Sequence, residues 1–298
     1  MVNPLKEATG PVDLIVGCGD IGQRVARLEI ETGARVLGLV RSASTASILE
    51  KLGVSVLRAD LDEVASLATL PDQLATLYYF APPPPSGLDD PRLRNFLNAL
   101  EGPPERVVYI STSGVYGDCT GAWIDEDWPL NPKSDRGKRR LAAELLLGEW
   151  SQQTGVPVVI LRVPGIYGPG RLPVDRVRQG IPVVIPEESP YTNRIHADDL
   201  AAVCVAAARR GQPGSAYNVS DGHPTTMTDY FWRIADLTGL PRPAALSMAE
   251  ARQVLTPAML SFLEESRRLI NRRMLDDLQI TLRYPDLAHG LRHCLHPD

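Results

Sequence analysis

Gly17, Gly19 and Gly22 imply chemistry most directly, because the apolar run Val12-Asp-Leu-Ile-Val16 enters them and a helical pattern leaves them. Gly17 lets the chain turn sharply after a strand, Gly19 leaves room for a pyrophosphate to approach the backbone, and Gly22 lets a helix pack closely on the sheet. The helix start, with Asp20 and Ile21 in the turn, offers free N–H groups to phosphate. That chemistry is dinucleotide binding. The ribose reader then falls about 20 residues past the loop, at the end of the second strand, where an acid selects NAD and a basic residue admits NADP. There the chain reads Leu39, Val40, Arg41, Ser42. No carboxylate stands there to repel a 2'-phosphate, and Arg41 offers it two charge-assisted hydrogen bonds. NADP is the expected cofactor, with NAD the other dinucleotide such a loop accepts. Asp60, after the third strand, is placed either to accept from the adenine amino group or to cap its own loop. Leu61 and Ala81 complete the expected cofactor-binding set.

The elements that must position these residues follow from hydrophobic periodicity. Ile21, Val25 and Leu28 recur at helical spacing as far as Gly33, which suits a C-cap. Strands are expected at Arg35 to Val40, Val54 to Leu57, Leu77 to Phe80, Val107 to Ile110, Val156 to Leu161 and Ala216 to Val219. Helices are expected from about Ser44 to Leu52, Arg92 to Leu100, Arg136 to Trp150, and from a cap at Asp198 or Asp199 to about Ala208. The alternation predicts an α/β fold: a doubly wound parallel Rossmann sheet over residues 11–222, with a smaller, mainly helical C-terminal lobe over 223–298. Loops rich in Pro and Gly over 164–193 are expected to contribute to a substrate cleft. Ser247-Met-Ala-Glu250 has capping-box spacing, and Pro82 to Pro85 should leave the fourth strand as a stiff extended loop, over the cofactor or over the surface alone.

With 298 residues, 44% of them apolar, the chain can bury a large core. No apolar run approaches the roughly 20 residues needed to span a bilayer and no leader pattern precedes residue 12, so a cytoplasmic protein is expected. A net charge of -5 with scattered Lys and Arg gives no footprint for nucleic acid or an anionic membrane. A small-molecule substrate is the expected partner, and the sequence leaves a homodimer open. Cys18, Cys119, Cys204 and Cys294 lie far apart, as reduced structural thiols do.

Three further stretches, Tyr109-Ile-Ser-Thr-Ser-Gly-Val-Tyr-Gly117, Leu161-Arg-Val-Pro-Gly-Ile-Tyr-Gly-Pro-Gly170 and Ile195-His-Ala-Asp-Asp-Leu-Ala201, stand in order after the glycine loop, with Tyr217-Asn-Val-Ser-Asp221 beyond them. Together they resemble the extended short-chain dehydrogenase/reductase superfamily, in particular its NAD-dependent epimerase/dehydratase branch, over most of the chain. The resemblance implies a cofactor domain and a substrate lobe enclosing a cleft. It also implies chemistry by a Ser or Thr beside the substrate oxygen, a Tyr as acid/base, and a Lys that holds the ribose and lowers the Tyr pKa.

Thr112 matches the first of these. The Tyr-x-x-x-Lys pair, due near residues 134 to 140, is missing. One register puts Arg136 at the tyrosine and Arg140 at the lysine; another puts Ser134 and Lys138 there. Neither supplies a good proton donor, since Arg stays charged and an unassisted Ser hydroxyl is a poor acid. Thr112, Arg136, Lys138 and Arg140 are therefore the expected catalytic set, the basic residues binding ribose or polarising substrate. Tyr116, Tyr167 and Tyr191 are the candidates for a replacement phenol, which would need a cation beside it. Relatives acting on nucleotide sugars often carry an Arg where this chain has Thr192; Arg194, or the pair Arg272 and Arg273, could still steer an anionic substrate.

His196-Ala-Asp198 has the spacing of part of a facial-triad iron site, which would need a second, distant His. A packed, hydrogen-bonded His196 fits better, and no metal is expected there or at His289, His293, Cys294 and His296. Thr112-Ser-Gly lacks the G-x-S-x-G elbow of a serine hydrolase, and the glycine loop lacks the Lys-Ser/Thr ending of a P-loop. The sequence therefore points to an NADP-linked oxidoreductase, or an epimerase/dehydratase-like enzyme, on a sugar-like or small carbonyl or hydroxyl compound. A non-catalytic NADP-binding sensor or regulatory protein is the contrasting expectation.

Overall fold

The computed structural model describes residues 10–295. β1 (Val12–Val16) and β2 (Val36–Val40) are buried at every residue, as central strands covered on both faces must be. Between them α1 (Asp20–Glu31) turns Ile21, Val25 and Ala26 inward. α2 (Ala43–Lys51) starts on Ser42, whose side chain accepts from the Thr45 amide, and leads to β3 (Ser55–Arg58). β4 (Leu74–Tyr79) follows, then α3 (Pro91–Asn98), opened by an Asp90 cap and a proline in its first turn, then β5 (Arg106–Thr112). After the short β6 (Trp123–Ile124) come α4 (Asp135–Thr154), β7 (Val158–Val163), β8 (Gly165–Tyr167), α5 (Val174–Arg178), β9 (Val183–Val184), β10 (Tyr191–Thr192), β11 (Arg194–His196), α6 (Ala197–Arg210) and β12 (Ala216–Asn218).

Seven strands form one parallel sheet in the order β12-β7-β5-β4-β1-β2-β3. The chain starts in the middle at β1, runs outward to β3, then crosses back to lay β4 beside β1. That reversal opens a crevice at the carboxyl ends of β1 and β4, where such sheets bind ligands. One face packs Val25 of α1, Leu49 of α2 and Leu200 and Cys204 of α6. The other packs Phe96 of α3 and Ala143 and Leu147 of α4. The fold is the doubly wound α/β sheet that the alternation predicts.

Beyond β12 the chain is mainly helical: β13 (Thr225–Thr226), α7 (Met227–Thr238), β14 (Ala245–Leu246), α8 (Met248–Val254), α9 (Pro257–Leu260), β15 (Arg268–Leu269), α10 (Arg272–Leu278) and α11 (Leu287–Leu295). Its short strands pair with earlier ones, β13 with β10, β14 with β9 and β15 with β6. Met274 and Leu278 of α10 join the core under the sheet. The wall over the carboxyl ends is therefore woven from both halves of the sequence. Ser247 and Glu250 make both bonds of the capping box.

Two local expectations need correcting. α1 ends at Glu31 with Thr32 as its cap, and Gly33 follows at φ +84°. The cap of α6 is neither aspartate but His196, whose Nδ1 accepts from the Asp198 amide at 3.2 Å. The aspartates have stronger calls on them: Asp198 pairs with Arg24, and Asp199 accepts from the amides of Arg283 and Tyr284 at 2.7 and 2.9 Å, fastening the C-terminal segment to α6. No described helix is long and apolar enough to cross a membrane.

Candidate active site

The crevice at β1 and β4 is a cavity of about 360 Å³. Gly17 sits at φ +81°, and a Cβ there would lie 2.6 Å from the Ala81 amide nitrogen, so the loops after β1 and β4 touch only because residue 17 has no side chain. A Cβ on Gly22 would stand 3.1 Å from Cys18 Sγ and from Ile15 Cγ2, which sets how closely α1 lies on β1. A Cβ on Gly19 would meet nothing within 4 Å. Gly19 is also the N-cap of α1 and no side chain caps it, so the helix start keeps its amides for a ligand.

Of the expected cofactor residues, the structure brings Gly17, Gly19, Arg41, Ser42, Asp60, Leu61 and Ala81 into this cavity. Ile21 and Gly22 lie in the packing beneath it, and Asp20 is tied to Arg24 at 3.0 Å and to Arg171 at 2.6 Å. The Arg41 side chain is 73% exposed, and its guanidinium comes only within 4.0 Å of Asp60. Ser42 Oγ lies 2.8 Å from Thr45 Oγ1, so two hydroxyls stand beside Arg41. Asp60 does cap its loop, accepting from the Asp62 amide at 3.1 Å. Sequence reasoning missed Thr45 and Arg92 on the cavity wall. Arg92, held by Asp62 at 2.5 Å and donating to the Pro82 carbonyl, follows directly on the loop begun by the proline run, which was the available signal.

A second cavity of about 370 Å³ opens where β5 ends, walled by the loops after β7 and around β10. Thr112 and Arg136 both face it, together with Tyr191, Thr192 and Arg194. Thr112 Oγ1 accepts from the Gly114 amide at 3.1 Å, which leaves its hydrogen to donate. The other two basic residues of the expected set point elsewhere. Lys138 is exposed and pairs with Asp135 at 3.7 Å. Arg140 donates to Tyr109 Oη at 3.0 Å and to the Ile110 carbonyl at 2.8 Å, fixing α4 to β5. Behind them Glu144 accepts from Ser111 at 2.5 Å and pairs with Arg162 at 3.0 Å, so α4, β5 and β7 meet on one buried ion pair.

Among the three phenols only Tyr191 reaches the cavity. Tyr116 donates to Asn218 and accepts from Arg162, and burial pushes its phenol up to about 12. Tyr167 is buried, its hydroxyl donating to the Asp286 carbonyl, and burial raises its pKa as well. Phe262, Glu265 and Arg267 complete the far wall. These were missed too, in a stretch without periodicity whose only signal was the charged run Glu264-Glu-Ser-Arg-Arg268. Arg272 and Arg273 lie on α10 and pair with Asp276 and Asp127.

His196 is fully buried, and desolvation pulls its pKa down to about 4. The distant histidine that a facial triad would need is His293, whose Nε2 lies 3.8 Å from Asp198 Oδ2. His196, Asp198 and His293 do gather within 4.8 Å. Asp198 is paired with Arg24 and His196 Nδ1 caps α6, while His196 Nε2 is buried without a hydrogen-bond partner. His289 pairs with Asp286 instead, and His296 lies outside the described residues. Cys18, Cys119 and Cys204 are buried free thiols and Cys294 is half-buried.

Comparison with known proteins settles the lineage of this arrangement. The profile of the NAD dependent epimerase/dehydratase family matches residues 14–220, from β1 past β12. The chain belongs to that family. It is similar to dTDP-D-glucose 4,6-dehydratase of Homo sapiens, 27% identical over 129 residues, which is 41% of this chain and 37% of that enzyme. The match thus spans little more than a third of that curated relative. Among solved structures, a functionally unknown conserved protein from Silicibacter pomeroyi DSS is 31% identical with a TM-score of 0.82, covering 96% of this chain and 99% of its own. MoeE5, solved in complex with UDP-glucose and NAD, shares the fold at 24% identity and a TM-score of 0.72, covering 96% and 98%.

Proposed function

We propose that the protein is an NADP-linked oxidoreductase of the epimerase/dehydratase family, acting on a small molecule that carries a hydroxyl or carbonyl group. The observation that carries the reading is Arg41, a loosely paired guanidinium at the carboxyl end of β2 with the Ser42 and Thr45 hydroxyls beside it, where a carboxylate would select NAD. The uncapped start of α1 and the open side of Gly19 would hold the pyrophosphate, and Leu61 and Ala81 would wall the adenosine half. Bound there, the nicotinamide supplies or accepts hydride. In the second cavity Thr112 donates a hydrogen bond to the substrate oxygen, and Arg136, fixed as a cation, polarises or orients it without giving up a proton.

The missing family tyrosine supports a second reading, a non-catalytic NADP-binding protein. The two separate in a turnover assay with a panel of sugars and small carbonyl compounds. The oxidoreductase reading expects change in nicotinamide absorbance with one of them, and a fall of about a hundredfold in kcat for Thr112→Val, the cost of removing a donor aimed at a developing oxyanion. Saturable NADP binding without turnover across the panel would favour the sensor.

A further inference from the structure

We propose that the second cavity is an oxyanion subsite, in which Arg136 and Arg194 hold a carboxylate or phosphate of the substrate beside Thr112. The inference rests on the reading of this cavity as the substrate pocket and adds the substrate's charge to it.

Two cations in the cavity wall, Arg136 and Arg194, make no ion pair among the described residues. Arg136, on the first turn of α4, lies half-buried with its guanidinium 3.8 Å over the Phe262 ring, and among the described residues it makes no hydrogen bond or ion pair. Glu265, the carboxylate whose field it feels, is already paired with Arg267 at 2.6 Å. Desolvation accordingly works against the Arg136 charge.

Arg194 is only 9% exposed. It donates to the Asn193 carbonyl at 3.1 Å and to Met227 Sδ at 3.6 Å, and stacks 4.1 Å from the Tyr230 centroid. Its Nε is buried without a partner, and no described carboxylate lies within 4.0 Å of the guanidinium. The buried carboxylate of Asp221 supports the Arg194 charge from beyond ion-pair distance; a buried guanidinium with no ion pair in contact is still costly, and an anion that forks onto it relieves the penalty. Three arginines face the second cavity against one carboxylate that is already spent. A substrate anion there would bring an adjacent carbon-bound oxygen toward the free hydrogen of Thr112. This assigns Arg136 a role in holding the substrate's charge.

The test is a calorimetric titration of the full-length protein, saturated with NADP+ to block the first cavity, with glycerol 1-phosphate, glycerate and glycerol. At least one of the two anions is expected to bind and glycerol is not; the better anion tells a phosphorylated substrate from a carboxylic acid. Arg136→Gln should weaken that binding roughly tenfold or more, the value of one charge-assisted hydrogen bond, with its NADP+ titration unchanged and its Tm not lowered, since the variant removes a cation that burial disfavours. Arg136→Lys, which keeps the charge, should bind more tightly than Arg136→Gln. Glycerol binding as well as the anions, no anion binding at all, or equal affinities in wild type and Arg136→Gln would overturn the proposal. NADP+ failing to saturate, with anion binding intact, would defeat the cofactor reading instead.

Discussion

His196 sits fully buried at the head of α6 with its Nδ1 accepting a backbone hydrogen bond, which only the neutral ring can do. Its folded pKa of about 4 lies below the ordinary 6.5, so between those values the unfolded chain binds the extra proton. Stability therefore rises with pH through that window, is fully present above about pH 6.5 and is lost as pH falls toward 4, by about 3 kcal/mol in all. His196→Asn keeps a capping residue and removes the titration. Urea unfolding at pH 7 and pH 4.5 should show a larger acid loss in the wild type than in the variant; equal losses would contradict the assignment. The sequence named this residue as packed rather than metal-binding, but not as the cap. Capping depends on what the neighbouring Asp198 and Asp199 are doing, and their partners Arg24, Arg283 and Tyr284 come from distant elements. Lys138 fails in the expected set for the same reason. Residue type and spacing placed a cation on α4, and only the helix's rotation against β5 decides that Arg136 faces the cavity while Lys138 faces water.

At the scale of elements, the three glycines of the β1–α1 turn carry different burdens. Gly17→Ala forces a Cβ against the Ala81 backbone at a positive φ and should cost more than about 2 kcal/mol of stability. Gly19→Ala meets open space and should change stability by less than about 1 kcal/mol, while weakening dinucleotide binding because the added methyl occupies the phosphate's approach. Paired denaturation and cofactor titrations separate the two; a Gly19→Ala protein that binds as the wild type does would remove the phosphate from this turn. The buried Glu144–Arg162 pair, which joins α4 to β7 and through Ser111 to β5, should behave differently again. Glu144→Ala leaves Arg162 uncompensated in the core and should cost about 3 to 5 kcal/mol by denaturant unfolding. This turn and the long strands and helices were legible because their periodicity is strong and local. β6, β9, β10, β13, β14 and β15 were not, since strands of two residues carry no alternation and form where tertiary contacts bring them together.

Across the whole molecule, the strand order β3-β2-β1-β4-β5 reverses direction between β1 and β4, and the crevice lies at that reversal. That is why seven of the residues that line this crevice, Gly17, Gly19, Arg41, Ser42, Asp60, Leu61 and Ala81, could be named from sequence. The second cavity could not, because its far wall of Phe262, Glu265 and Arg267 is delivered by a C-terminal segment threaded back through short strand pairs. A ligand that binds only the folded state stabilises it by about 2.7 kcal/mol at a hundred times its Kd. Equal concentrations of NADP+ and NAD+ should therefore raise the Tm unequally, NADP+ by more. The central claim, that Arg41 makes this crevice an NADP site, is tested most directly by isothermal titration of NADP+ and NAD+ into wild type and Arg41→Ala. We predict tighter NADP+ binding by the wild type, weakened roughly tenfold or more in Arg41→Ala while NAD+ binding stays near its wild-type value. Tighter NAD+ than NADP+ binding by the wild type would contradict the account.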